Sequence, residues 1–322
     1  MQDVVVVGSF VQDFAFSTQA FPAPGETRIG LFATGPGGKG FNQAVAANRQ
    51  GVATLFIGAV GDDMFAEKAR VFAREEQLEC GFETIDSQPS GAASIVINAQ
   101  AENLIVVALG ANDALSTEHI DSFTAQIRHA KVVVSQLENN ITATVRAFEI
   151  ARAANVITLL NPAPINESLS VEVLRHVDIL TPNETEFAFL CKHLFGIELA
   201  AEYWLEDSAN LHETCRKLNV PIVVITLGAH GAFVSMSDDA AQSALTEHFF
   251  SVPPAKVNPI DTTGAGDAFN GGLAAALAEH GTQAIIDACT KASRVGGLST
   301  EKPGTAPAMP TRAQIAARFA SS

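Results

Sequence analysis

Cysteine and long apolar runs are both scarce in this chain of 322 residues. The four cysteines form no C-x-x-C pair and have no zinc-like spacing, so we expect reduced thiols in a cytoplasmic protein rather than a zinc site. No apolar run approaches the roughly 18 residues that a membrane-spanning helix needs. No basic stretch precedes an apolar segment at the N-terminus, so a signal peptide is not expected.

Basic residues are also few, since 20 lysines and arginines stand against 35 aspartates and glutamates, which makes the net charge −15. They form no cluster, and this argues against nucleic-acid binding and against attraction to anionic membranes. Any phosphate group that the protein binds must therefore be held by a few local groups, such as backbone amides, one or two lysines or a metal ion, rather than by an extended basic surface.

What the chain does contain is a series of short β-branched runs separated by helical patterns. The runs lie at 4–7, 54–57, 132–134, 156–160, 177–180 and 222–225, and the helical patterns at 41–50, 64–78, 117–129, 141–154 and 183–194. This alternation predicts a single α/β domain over residues 1–322, in which helices cover both faces of a mostly parallel sheet.

Two segments, 10–34 and 91–108, break the alternation. The second contains two predicted strands around a polar turn, with no crossover helix between them. Such a hairpin belongs in a sheet of its own, so we expect a small β-sheet lid over the open edge of the main sheet.

Polar residues follow four of the predicted strands, as Gln136 with Glu138, Asn161, Asn183 to Glu186, and Thr226. Strand ends meet turns in any fold. Ligands of open parallel sheets, however, bind beyond the carboxyl ends of the strands, so these residues favour a binding site on that edge.

The sharpest signal is the segment DTTGAGDAFNGG from Asp261 to Gly272, in which a turn of small residues leads into a helix. The backbone N–H groups of 263–266 and the positive end of the helix dipole predict an anion hole. Asp267, at the helix start, would accept the proton of a hydroxyl that attacks phosphorus, while the hole offsets charge on the transferred group. The alternative is a helix-capping aspartate in a plain tight turn.

A second glycine-rich turn, from Gly35 to Asn42, matches the G-x-G-x-x-G pattern of dinucleotide-binding proteins. That pattern should follow the first buried strand, which here ends at Gly8, so a Rossmann oxidoreductase is a minor alternative. We favour a close backbone approach to a small polyol, with Lys39 and Asn42 bonding at its edge.

The chain resembles the ribokinase-like (PfkB) family of carbohydrate kinases nearly from end to end, and within it the ribokinases. The matching segments are GGKGFNQA at 37–44, GAVGDD at 58–63, NPAP at 161–164, TPNETE at 181–186, ITLG at 225–228 and DTTGAGD at 261–267. The first and last correspond to the two signature motifs of the family. The resemblance implies an αβα sandwich with a small β-sheet lid, and a homodimer formed through that lid.

The resemblance also implies roles for individual residues. Asp267 would be the catalytic base, with Gly264, Ala265 and Gly266 as its anion hole. Positions that match sugar contacts are Asp13, Gly38, Lys39, Asn42, Glu138, Asp261 and Asp267. Positions that match the nucleotide site are Asn183 and Glu186, which govern the magnesium–phosphate complex, and Thr226 and Gly228. A potassium ion would be held by Asp261 and by backbone carbonyls at Thr263, Ser299, Lys302 and Gly304.

Two departures from the ribokinase pattern affect these expectations. Val11 stands where ribokinases carry an asparagine, so one hydrogen bond to a sugar hydroxyl is replaced by an apolar contact. A site that lacks such a bond discriminates less strongly for the hydroxyl. Ala308 stands where ribokinases usually offer a serine hydroxyl to the activating monovalent cation.

The sequence thus predicts a kinase that uses ATP and Mg²⁺ to phosphorylate a sugar, with ribose converted to ribose 5-phosphate as the leading reaction. A kinase for 2-deoxyribose, another sugar or a nucleoside remains open. So does a non-catalytic protein that senses a sugar or a nucleotide, although it would be expected to carry damage at the base or the anion hole, and both motifs are intact.

Overall fold

The computed structural model of the protein describes residues 2–100, 102–205, 207–241 and 248–320. Its strands are β1 (Val4–Val7), β2 (Val11–Ser17), β3 (Leu31–Gly37), β4 (Thr54–Gly61), β5 (Glu79–Ile85), β6 (Gly91–Ile97), β7 (Asn103–Ala108), β8 (Val132–Ser135), β9 (Ile157–Leu160), β10 (Ile179–Leu180), β11 (Ile222–Thr226), β12 (Ala232–Met236) and β13 (Phe249–Val252). Its α-helices are α1 (Lys39–Arg49), α2 (Met64–Glu75), α3 (Thr117–Ser122), α4 (Thr124–His129), α5 (Ile141–Arg152), α6 (Val171–Leu174), α7 (Glu184–Phe195), α8 (Ser208–Lys217), α9 (Ala265–His280), α10 (Ile285–Ser299) and α11 (Arg312–Phe319).

The larger sheet has nine strands among the described residues, in the order β13-β12-β11-β10-β9-β8-β1-β4-β5. Strand β12 runs antiparallel to both of its neighbours, and the other pairs are parallel. The register places β1 opposite Thr54–Ile57 on one side and Val132–Ser135 on the other. The prediction of a mostly parallel sheet in an α/β fold is therefore confirmed.

The valines of β1 show how both faces of this sheet are covered. All four are 0% exposed, because Val4 and Val6 point into one hydrophobic cluster and Val5 and Val7 into another. The first cluster includes residues of α1, α2, α9 and α10, and the second includes residues of α3, α5, α7 and α8. A strand buried on both faces reads as a continuous apolar run, which is why the sequence revealed β1 so clearly.

A separate sheet of four strands, in the order β3-β2-β6-β7, is built from the two segments that break the alternation. Strand β2 pairs antiparallel with β3 and parallel with β6, and β7 completes the hairpin. The predicted small sheet is thus present. Its strand β3 continues to Gly37, beyond the predicted limit at residue 34, and leads straight into α1.

Several elements are absent from the sequence-based description or differ from it. Strands β5, β12 and β13 and helices α6, α8 and α10 were not predicted. Strand β5 is mostly half-buried, so it lacks a continuous apolar run, and β12 and β13 follow β11 without a crossover helix. The helix predicted over 117–129 is broken at Phe123, whose backbone leaves helical geometry at φ −103°, ψ 15°.

Glycines allow α1 to begin directly against the end of β1. Gly38 has φ +92°, and a Cβ there would lie 2.7 Å from the Val11 amide nitrogen. A Cβ on Gly40 would lie 2.6 Å from the Gly8 Cα. Only glycine permits this close contact, which places the first turn of α1 at the carboxyl edge of the sheet.

Helices α1 and α9 also pack at very short range. A Cβ on Gly271 of α9 would lie 2.5 Å from both the Gln43 carbonyl oxygen and the Ala46 Cβ of α1. The contact sets the first turns of both helices side by side.

Within the described residues, no helix combines the length and the hydropathy that a membrane span requires.

Substitution of Gly271 should therefore destabilise the protein. In an exposed helix interior, Gly→Ala raises stability by about 1 kcal/mol. Here the added methyl group overlaps α1, so Gly271→Ala should lower the free energy of unfolding by roughly 1–3 kcal/mol and Gly271→Val by more. Urea denaturation measures the change, and an alanine variant as stable as the wild type would contradict the close contact.

Candidate active site

The carboxylate of Asp267 is held by two amide side chains at the point where α1 meets α9. Asp267 lies in the first turn of α9 and is 7% exposed. Asn42 donates its Nδ2–H to Oδ2 at 2.9 Å, and Gln43 donates its Nε2–H to Oδ1 at 3.0 Å. Each carboxylate oxygen therefore has one fixed donor from α1, which defines the orientation of the group.

Burial raises the pKa of Asp267 above its ordinary value of 3.8, because desolvation disfavours the charged form. The charge of Lys39 and the two amide donors act in the opposite direction, and the charge of Glu138 adds to the increase. A carboxylate with a raised pKa is a better proton acceptor near neutral pH than an ordinary aspartate.

The turn before α9 presents unused backbone donors beside this carboxylate. Gly264 caps the helix in the left-handed conformation at φ +77°. The N–H groups of Gly264, Gly266 and Asp267 donate to no acceptor within the described part of the chain. A Cβ on Gly266 would meet no atom within 4 Å, so open space lies in front of the turn.

Not every amide of the predicted anion hole is free in this structure. The N–H of Thr263 donates to Asp261 Oδ1 at 2.9 Å, and that of Ala265 donates to the Thr262 carbonyl at 3.2 Å. The sequence-based set of amides, 263–266, is thus broader than the set that is open here. These local bonds depend on loop geometry that a motif does not specify.

Lys39 and Glu138 are two further charged groups that act on Asp267, and they meet where β3 passes into α1. Glu138 is 6% exposed, and its Oε2 accepts hydrogen bonds from the Ser9 hydroxyl at 2.7 Å and the Lys39 N–H at 2.9 Å. Desolvation acts to lower the pKa of Lys39, but the charges of Asp267, Glu138 and Glu186 outweigh it and leave that pKa raised. The ammonium is therefore held as a cation among three carboxylates.

Asp13, on the lid strand β2, faces the same group of charges. Its Oδ2 accepts a hydrogen bond from the Thr305 hydroxyl at 2.9 Å. Desolvation is the main cause that raises the pKa of Asp13 to about 6, and the charges of Glu138 and Asp267 add to it. Val11 lies two residues earlier in β2, so it is on the same face of the strand, where it is 2% exposed and packs against Ala93 and Ile95.

The predicted nucleotide residues lie together at the ends of β10 and β11. Asn183 and Glu186 form a reciprocal cap of α7, in which each side chain accepts the backbone N–H of the other at 2.8 Å. Thr226 bridges to Asn183 at the end of β11, and Gly228 follows with φ +52°. Desolvation raises the pKa of Glu186, although the charge of Lys39 opposes it.

The predicted cation residues belong to one loop cluster beside the turn of α9. Asp261 accepts the N–H of Thr263 on Oδ1 and that of Gly304 on Oδ2, each at 2.9 Å. The Asp261 N–H donates to the Thr300 carbonyl at 3.1 Å, which joins the segment containing Ser299 and Lys302 to the same cluster. Ala308 is 3% exposed and offers no hydroxyl.

Sequence reasoning assigned no role to several residues that shape this site. Gln43 is 0% exposed and donates not only to Asp267 but also to Asn161 Oδ1 at 3.1 Å, while it accepts from Gln136 Nε2 at 2.7 Å. Gln43 is part of a matching motif, but only the structure shows that its amide reaches the candidate base. Thr305 was missed because nothing in the sequence relates it to Asp13.

A buried, oriented carboxylate beside an open helix N-terminus, under a small sheet, is the arrangement of a phosphotransferase of mixed α/β fold. The family model "pfkB family carbohydrate kinase" matches residues 1–312. The chain belongs to this family, and its reaction is phosphoryl transfer to a sugar hydroxyl, as the sequence predicted.

Individual relatives agree with this assignment. The chain is 36% identical to a ribokinase of Haemophilus influenzae over 96% of its own length and 95% of that protein. It is 30% identical to a deoxyribokinase of Salmonella typhi, with 97% of each chain covered. The structure of Arabidopsis thaliana ribokinase complexed with ribose and ATP is similar with a TM-score of 0.81 at 25% identity, and the match covers 100% of this chain and 99% of that one.

The amide of Gln43 should set the pH dependence of activity if Asp267 is the base. Gln43→Met removes a donor that favours the ionised carboxylate, so the pKa of Asp267 should rise further. Because the base must be ionised, kcat/KM should begin to fall at a higher pH than in the wild type. Gln50→Met is the matched control, because Gln50 is a buried glutamine at the C-terminal cap of the same helix and donates to the Pro310 carbonyl instead. A parallel loss of kcat/KM at all pH values would contradict this role.

Asp13→Asn should stabilise the unliganded protein above pH 6. The pKa of Asp13 is about 6 in the folded state, against an ordinary value of 3.8. Ionisation therefore costs stability as pH rises from about 4 to about 6, by roughly 1–3 kcal/mol once complete. Asparagine can still accept the Thr305 hydrogen bond without carrying charge. Thermal denaturation of both proteins at pH 4 and pH 8 should show a difference at pH 8 that shrinks at pH 4.

Proposed function

We propose that the protein is an ATP-dependent pentose kinase whose base is Asp267, and that ribose is its leading substrate. The observation that carries the proposal is the fixed Asp267 carboxylate, with an amide donor on each oxygen and open backbone N–H groups beside it. In this role Asp267 accepts the proton of the attacking hydroxyl. The amides of Gly264 and Gly266 then stabilise charge on the transferred phosphoryl group, and Ala265 can join them if it releases Thr262.

The sugar would lie between the lid and the first turn of α1. Asp13 and Glu138 are acceptors for its hydroxyl groups, and the backbone at Gly38 and Lys39 lies at the same edge. Asn42 Oδ1 is buried and accepts no hydrogen bond within the described residues. A buried acceptor without a donor is unfavourable, and a sugar hydroxyl would satisfy it. Asp261 extends this set on the side of the α9 turn.

ATP would bind on the side of β10 and β11, with Thr226 and Gly228 at the nucleotide and its γ-phosphate in front of the α9 turn. The Arabidopsis relative is described as a complex with ribose and ATP, which supports this donor. Asn183 and Glu186 would hold Mg²⁺ largely through the phosphates, because their side chains already cap α7 and leave few free oxygens. Bound there, Mg²⁺ supplies neutralisation of phosphate charge.

The loop cluster around Asp261 would hold a potassium ion mainly through backbone oxygens. Thr263, Ser299, Lys302 and Gly304 would offer carbonyls, and the Asp261 carboxylate would add one charged oxygen. Ala308 removes one hydroxyl from this donor set. We therefore propose potassium as an activator that binds through the remaining residues.

We also propose that residues 1–322 act as one kinase domain in the cytoplasm and assemble as a homodimer through the lid. The lid exposes large apolar side chains on its outer strands, including Leu31 at 79%, Phe32 at 56% and Val106 at 72%. An exposed apolar surface of this kind is typical of a protein–protein contact.

A second candidate substrate is 2-deoxyribose. Val11 supports it, since an apolar side chain stands beside Asp13 where a donor to a hydroxyl would be expected, and a deoxyribokinase is among the relatives. Other sugars and nucleosides are further alternatives for the same site. A sensing protein without catalysis is disfavoured, because Asp267 and the open turn amides are both in place.

Asp267→Asn should abolish most of the activity while it leaves folding and sugar binding nearly unchanged. Loss of a general base typically costs about 10²–10⁴ in rate. We would measure ATP consumption with Mg²⁺ and K⁺ against ribose, 2-deoxyribose, other pentoses, hexoses and nucleosides. Unchanged turnover in the variant would remove the base assignment, and no turnover on any compound would favour the sensing alternative.

Val11→Asn should shift preference toward the sugar with one more hydroxyl. The new amide can hydrogen-bond a hydroxyl that valine cannot, so the ratio of kcat/KM for ribose over 2-deoxyribose should rise about tenfold or more. If that ratio does not change, the side chain at position 11 does not contact the substrate.

A further inference from the structure

Thr305 connects the C-terminal loop to two strands of the lid through one hydroxyl group. It lies just before the turn of 3₁₀-helix Ala306–Ala308 and is 8% exposed. Its Oγ–H is within hydrogen-bond distance of Asp13 Oδ2 in β2, at 2.9 Å, and of the Pro36 carbonyl in β3, at 3.1 Å. The hydroxyl therefore lies at the junction between the small sheet and the main body of the protein.

The backbone at Gly304 and Thr305 contacts the turn that precedes α9. The N–H of Gly304 donates to Asp261 Oδ2 at 2.9 Å. A Cβ on Gly264 would lie 3.5 Å from the Thr305 Cα, so this residue packs against the helix-capping glycine of the anion hole. Two consecutive residues thus contact the candidate phosphate turn and the lid carboxylate.

We propose that Thr305 is a positioning residue, which orients the Asp13 carboxylate for the sugar and couples the lid to the turn of α9. The inference rests on the proposed function, in which Asp13 accepts a hydrogen bond from a sugar hydroxyl. The inference assigns a role to Thr305, a residue that lies outside the sequence motifs of the site.

The need for such a donor follows from the surroundings of Asp13. Oδ1 accepts no hydrogen bond within the described residues, so it is available to a ligand, whereas Oδ2 is bound by Thr305. The carboxylate plane turns easily about its last torsion, and one fixed donor selects an orientation. The other charged groups that act on Asp13, Glu138 and Asp267, are both acidic and both disfavour its ionised form. Thr305 is the neighbour that favours it.

The test compares Thr305→Val, which keeps the shape and removes the hydroxyl, with Thr305→Ser, which keeps the hydroxyl. Loss of a hydrogen bond to a charged group should raise the KM for the best sugar substrate about tenfold in the valine variant at pH 8. The KM for ATP should stay within about twofold of the wild type, and serine should restore the sugar KM. Thr305→Ala serves in place of valine if the valine variant does not fold.

The pH profile separates positioning from a general loss of structure. In the wild type, the sugar KM should rise as pH falls through about 6, where Asp13 becomes protonated. Without the Thr305 hydroxyl the pKa of Asp13 should be higher, so this rise should begin at a higher pH. An unchanged midpoint, or equal changes in the KM values for sugar and ATP, would overturn the proposal.

Asp13→Asn distinguishes failure of this inference from failure of the proposed function. If Asp13→Asn raises the sugar KM and Thr305→Val does not, Asp13 binds the sugar but Thr305 does not position it. If Asp13→Asn leaves the sugar KM unchanged, Asp13 is not a sugar ligand, and that part of the proposed function fails together with the role of Thr305. Calorimetric titration of the sugar without ATP gives the same comparison independently of turnover.

Discussion

The geometry of the site depends on the close packing of α1 against α9 at Gly271. There is no room for a side chain at this crossing, and the two helices begin side by side as a result. Helix α9 contributes Asp267, and α1 contributes Asn42 and Gln43, which hold its two oxygens. Because the donors lie on a different helix from the carboxylate, the orientation of Asp267 stays constant only if α1 and α9 cannot move apart. The packing of these two helices therefore also determines the geometry of the candidate base.

The same packing concentrates negative charge. The charges of Glu138, Glu186 and Asp267 act on the ammonium of Lys39, and those of Glu138 and Asp267 act on Asp13. Burial raises the pKa of Asp13, Glu186 and Asp267. Such an arrangement disfavours the unliganded folded state at neutral pH, because buried charges of one sign repel each other. Ligands that bring hydroxyl donors and cations would relieve it. A site of this kind is better suited to binding and proton transfer than to stability.

Features that depend on local pattern were predictable. The β-branched runs predicted the buried strands, such as β1, because helices cover both faces of the larger sheet and this strand is apolar throughout. The turn before Asp267 was recognisable because a run of small residues leads directly into a helix. The edge of the main sheet was not predictable in the same way. Strand β5 is only half-buried, so it has no continuous apolar run. Strands β11 and β12 are antiparallel neighbours with no helix between them, so the sequence shows no helical spacing of apolar residues that would mark the connection.

The sequence by itself determined the α/β class, the separate small sheet and the two glycine-rich turns with their carboxylates, since each follows from residue types at short spacing. Only the tertiary structure decided which groups meet. Gln43 reaches Asp267 across 224 positions, and Thr305 reaches Asp13 across 292. It also decided which turn amides remain open and how burial shifts each pKa. These properties depend on the distances and the solvent exclusion that packing creates, and no local pattern encodes them.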